Sequence, residues 1–74
     1  MNGQRLKDRR VAAGIAGALL SRRAGIDRAR LCHIERGYIS ATDAEVKRIE
    51  TALNELIIAR QQVAAVAKEV GWPL

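Results

Sequence analysis

Seventy-four residues with 13 Lys and Arg against 8 Asp and Glu, a formal charge of +5, leave room for one small domain, 1–74, with a thin core and a preference for anionic partners. Cys32 is the only cysteine and His33 the only histidine, which excludes an internal disulfide and falls short of the four ligands of a structural zinc site. Aromatic residues make up 3% with no Phe, too few for the stacking platforms that hold single-stranded nucleic acid or RNA loops.

Residues 4–13, Gln-Arg-Leu-Lys-Asp-Arg-Arg-Val-Ala-Ala, predict a first helix stopped by Gly14. Leu6, Arg10 and Ala13 are spaced i, i+4, i+7 and share a face. An arginine in the middle of an inward face requires an acidic partner, because an unpaired buried charge is costly. Ala16 to Ala24 predict a second short helix closed by Gly25, with Leu20 and Ala24 inward and Arg22 and Arg23 outward. Gly17 weakens its start, and no Ser, Thr, Asp or Asn caps it.

After the turn Gly25-Ile26, Asp27 is a good N-cap for a third helix that reaches Arg36, about three turns long. Leu31 and Ile34 form its apolar back. Arg28, Ala29, Cys32, His33 and Arg36 form a front that donates hydrogen bonds and carries no acid. Such a front suits a groove lined with acceptors and flanked by phosphates. Gly37 is its stop. Two short helices joined by a glycine-containing turn, about 16–36, make a helix-turn-helix.

Tyr38 to Ala41 read as a loop. Thr42-Asp43-Ala44-Glu45 is then a capping box, in which Thr42 and Glu45 satisfy each other's backbone donors. Beyond it nothing breaks a helix before Gly71 and Pro73. Ile49, Ala52, Leu56, Ala59, Val63, Val66 and Val70 form a heptad stripe, widened by Leu53, Ile57 and Ala64. Asn54 offers a fresh N-cap. The preferred reading is therefore two helices, about 43–53 and 54–70, with the first folded back on the core. The alternative is one helix about 40 Å long.

The fold class is all-α, a compact bundle of four to five helices. No glycine-rich phosphate loop and no ordered Ser/His/Asp set is present, so neither an enzyme nor a cofactor is expected. No apolar run approaches the roughly 18 residues of a membrane span. Met1 to Arg10 is basic but lacks the apolar core of a signal peptide. A cytoplasmic location, where a free thiol persists, is the expectation.

The register Arg5, Leu6, Arg10, Gly14, Leu20, Gly25, Ile26, Ile34, Glu35, Gly37 resembles the Xre family, the helix-turn-helix proteins of the lambdoid phage repressor and Cro class, which includes controller proteins of restriction–modification systems. The resemblance covers about residues 4–57. It is most specific at Ala24-Gly25-Ile26 and at Ile34-Glu35-Arg36-Gly37. It implies a lambda-repressor-like fold and a recognition helix, 28–36, laid in the major groove of double-stranded DNA. It also implies an ion pair between Arg10 and Glu35, which supplies the partner that an inward Arg10 needs.

By the same resemblance, bases are read by Arg28, Ala29 and His33. Arg28 has the bidentate donor geometry for a guanine edge, and Ala29 suits a thymine methyl. His33 is either a donor to a guanine or phosphate, or a bystander. Arg30, Arg36, Tyr38 and Ser40 are assigned to phosphates. The family usually carries a glutamine near the start of its second helix that fastens to a phosphate. Here that position is Gly17, so either the backbone N–H groups take the contact or arginines and dimerisation compensate. Cys32 has no resolving cysteine nearby and reads as an incidental thiol.

The later part of the heptad stripe has no core left to cover it and predicts a dimer interface, about 54–74, of Leu56, Ala59, Val63, Val66, Val70 and Trp72. A two-fold dimer matches a palindromic operator with half-sites one helical turn apart. The expectation is a sequence-specific, homodimeric transcriptional regulator, most simply a repressor in a phage, mobile-element or controller setting, with no metal and no membrane partner. The alternative is an antitoxin or anti-activator that binds a partner protein through its C-terminal helix. That module would not require Arg28, Arg30 and Arg36 on one face.

Overall fold

The computed structural model describes residues 3–69. Four helices follow in order: α1, Gly3–Ala12; α2, Gly17–Ala24; α3, Arg28–Glu35; and α4, Asp43–Glu69. No strand occurs among the described residues.

Each stop is made by local chemistry. Gly14 takes φ +71°, and the Ile15 amide reaches back to the Arg10 carbonyl at 3.0 Å. Gly25, at φ +69°, closes α2: its own N–H meets the Arg22 carbonyl at 3.3 Å, and that of Ile26 meets Ser21 at 2.9 Å. This is the Schellman arrangement, which satisfies carbonyls left over at a helix end. Its second residue, Ile26, is buried in the core. The start of α2 has no side-chain cap, Ala16 being its N-cap.

Leu6, Ile15, Leu20, Ala24, Ile26, Leu31, Ile34, Ile49, Ala52 and Leu53 form one buried cluster. Leu56 and Ile57 pack on its edge. The inner part of α4 lies on α2, α2 on α3, and α1 on α3. Gly3 is where α1 meets α3, and a Cβ there would overlap the Ile34 carbonyl.

Two expectations about helix length are corrected. The third helix, α3, has eight residues, about two turns instead of three. Arg36 is its C-cap, with Gly37 following at φ +80°. The C-terminal region is not split at Asn54: α4 is one helix of 27 residues. Asn54 caps nothing; its Oδ1 accepts from Arg9 Nη2 at 2.6 Å, tying α1 to the middle of α4. Ile49, Ala52 and Leu53 close the core from within one continuous helix, so no fold-back is needed. At 1.5 Å per residue, α4 spans about 40 Å, and the longest extent of the molecule is 44 Å. Its distal part therefore extends past the cluster, with Val63 61% and Val66 57% exposed.

Candidate nucleic-acid interface

The eight residues of α3 place a polar front opposite the buried back of Leu31 and Ile34. The helix is fixed at both ends and along one side. At its start, the Asp27 carboxylate accepts from the amides of Ala29 at 3.0 Å and Arg30 at 3.4 Å. That cap discharges two of the unpaired N–H groups of the first turn.

At its end, Glu35 turns inward. Arg10 donates to it through Nε at 2.8 Å and Nη2 at 3.0 Å, and through Nη1 to the Ile15 carbonyl at 2.9 Å. Side-chain exposure is only 12% for Arg10 and 5% for Glu35. This two-pronged bond locks the end of α3 to α1 and to the α1–α2 turn. It also keeps the carboxylate of Glu35 off the polar front.

On the side of α3, Arg30 donates through Nε and, at 2.7 Å, through Nη2 to the carboxylate of Glu45. Glu45 at the same time serves the capping box of α4: its Oε1 accepts from the Thr42 amide at 2.9 Å, and its own amide donates to Thr42 Oγ1 at 3.2 Å. Its carboxyl is held down at about 2, below the usual 4.5, first by the Arg30 hydrogen bond and then by the Thr42 amide. The same contact raises the Arg30 guanidinium further above its ordinary value. In the free chain the side chain of Arg30, expected as a phosphate arm, meets Glu45 and is still 42% exposed. There it acts as a strut between α3 and α4.

Arg28, Ala29, His33 and Arg36 remain exposed on the front, with Cys32 half-buried beside them. At the start of that surface the carboxylate of Asp27 is directed to the helix amides. Just beyond α3, Tyr38 is 70% exposed and its ring lies beside that of His33, with centroids 6.0 Å apart and planes tilted by 47°. Ser40 is exposed on the same loop. Gly17 does not stand open: it is buried under the Arg28 guanidinium, whose Cζ would lie 2.9 Å from a Cβ at that position. Gly17, expected as a phosphate contact, therefore has the flexible end of the Arg28 side chain over it in the free chain.

Of the residues assigned to a dimer surface, Leu56 is half-buried against the chain's own core, whereas Ala59, Val63 and Val66 are exposed. Val70 and Trp72 lie outside the described residues. Among the described residues, no group of three His, Cys, Asp or Glu is placed to hold a metal. No helix there is long and apolar enough to cross a membrane.

Sequence reasoning missed three contacts: Arg30 with Glu45, Arg9 with Asn54, and Arg23 with Glu55, the last at 2.6 Å between α2 and α4. The capping box already singled out Glu45, but only the tertiary fold, in which α3 and α4 both lie against α2, brings Arg30 to it. A family model described as helix-turn-helix matches residues 6–57. No curated protein and no solved structure matches the chain.

Proposed function

This chain belongs to the helix-turn-helix family of DNA-binding regulators, of the Xre and lambda repressor type, and we propose that it acts as a dimeric, sequence-specific repressor. The observation that carries this reading is the division of charge around α3. Glu35 and Glu45 are drawn behind the helix by Arg10 and Arg30, while Arg28, His33 and Arg36 remain exposed on the front. A braced helix with donors on one side and no free acid matches a major groove, whose base edges are rich in acceptors and whose rims are phosphate.

In this reading Arg28, Ala29 and His33 meet base edges. Arg36, Tyr38 and Ser40 meet the backbone, adding affinity and salt dependence without selecting sequence. The dimer forms through the projecting end of α4, where Ala59, Val63 and Val66 lie bare and Val70 and Trp72 follow in the sequence. Exposed apolar stripes of this kind usually mark an interface. Two-fold pairing sets the reading helices about 34 Å apart, one turn of a palindromic operator. Occupying a promoter is enough to silence it, which fits a phage, mobile-element or controller setting.

The test is selection of bound duplexes from a random pool, followed by salt titration of the winner. Arg28→Ala is expected to relax preference at one base pair, at a cost of about 1–3 kcal/mol, while Arg36→Ala weakens all sites alike and lowers the salt slope by about 1. A pool that yields no palindrome at low salt overturns the reading.

A further inference from the structure

The contact between Gly17 and Arg28 has a particular geometry. A Cβ built on Gly17 would stand 2.9 Å from Arg28 Cζ and 3.0 and 3.2 Å from its two terminal nitrogens. Three nearly equal distances place that point over the flat face of the guanidinium, not at its edge. The face of Arg28 is therefore laid against the bare backbone at the start of α2. Among the described residues no hydrogen bond or ion pair uses its N–H groups, so the whole donor edge stays free.

We propose that Gly17 is a specificity-determining position: its missing side chain makes the niche that holds Arg28 by its face and orients its donor edge before DNA arrives. The inference rests on the reading of α3 as the DNA-reading helix and names what directs one of its residues. An unrestrained arginine has many rotamers and must lose them on binding; one already stacked has fewer to lose. The planar fork suits a bidentate contact only when its plane is set, which an ammonium on a flexible stem does not require. Gly17 is thus a positioning residue that acts through Arg28. Any side chain at 17 takes the place of the guanidinium and releases it.

Gly17→Ala tests this with little risk to the fold. Alanine favours helix over glycine, and the atoms its Cβ would meet are the far end of a flexible side chain. In the free protein, nitrogen relaxation of the Arg28 Nε–H group should report a restrained side chain, and a mobile one in Gly17→Ala. An Arg28 already mobile in the parent overturns the proposal, whatever the DNA result. On DNA, affinities are compared for the selected operator and for duplexes altered at the base pair that Arg28→Ala relaxes. Gly17→Ala should cut discrimination there by about three- to tenfold, a fraction of what a bidentate contact provides. Other positions keep their preference. In the Arg28→Ala background, Gly17→Ala should change nothing further, which separates positioning from a general packing role. Discrimination unchanged by Gly17→Ala, or lost equally without Arg28, refutes the inference while the DNA reading stands. A parent chain that enriches no sequence refutes both.

Discussion

Glu35→Ala removes the carboxylate that neutralises Arg10. The guanidinium is left with one protein acceptor, the Ile15 carbonyl, in a site where its side chain is only 12% exposed. Breaking a buried pair by deleting one partner costs about 3–5 kcal/mol, because the surviving charge is stranded. A chain of 74 residues, at roughly 0.05–0.15 kcal/mol per residue, has about 4–11 kcal/mol in total. The substitution therefore removes a large share of the stability. At about 4–8 °C per kcal/mol for a domain of this size, the melting temperature should fall by roughly 12–40 °C. Urea denaturation followed by circular dichroism, with the slope held in common, gives the free-energy difference directly. Replacing both partners, Arg10→Met with Glu35→Leu, should recover much of the loss, since apolar substitutes leave no stranded charge. A Glu35→Ala loss below about 1 kcal/mol would refute the argument that the pair is a buried anchor.

Glu45, with its carboxyl held at about 2 against the usual 4.5, contributes stability that is fully present above pH 4.5 and is lost as pH falls through 2. Glu45→Gln should flatten the fall in melting temperature across that window; an unchanged acid limb would show that the Arg30 strut does not act through this charge. Asp27→Ala deletes the only side-chain cap of α3 and should cost about 0.5–2 kcal/mol in the same urea assay, with no loss meaning that water replaces the cap. Val63→Asp with Val66→Asp places charges on the bare end of α4. Sedimentation should change from dimer to monomer with little change in monomer folding, because neither side chain belongs to the core; a parent chain that sediments as a monomer at tens of micromolar removes the dimer from the proposal.

Much of this molecule was legible in its residues because the signals are local. Asp27 before a helix, Gly25 and Gly37 after one, and the Thr42–Glu45 box each act within a few residues of themselves, so their spacing is enough to place helix ends. Leu20, Leu31, Ile34, Ile49 and Leu53 were legible as core for the same reason, since helical period alone puts them on one face. The helix break proposed at Asn54 failed because a cap signal competes with the neighbouring turns. With no glycine or proline nearby and a hydrogen bond offered by Arg9, continuing the helix wins.

The residues of the polar front of α3 were likewise visible as a pattern, but their individual contacts were not. Arg28 and Arg30 are two residues apart in one basic helix, and composition treats them alike. By itself the sequence determined the helical class, the stops at Gly14, Gly25 and Gly37, the caps at Asp27 and Thr42, the acid-free front of α3 and the excess of positive charge, because each follows from neighbours along the chain. Only the tertiary structure decided that Arg30 is tied to Glu45 while Arg28 lies over Gly17 with its donors free. That choice depends on which side chain from a distant segment occupies the same few ångströms, and ion pairs and stacking are decided by distance in space, not by separation in sequence.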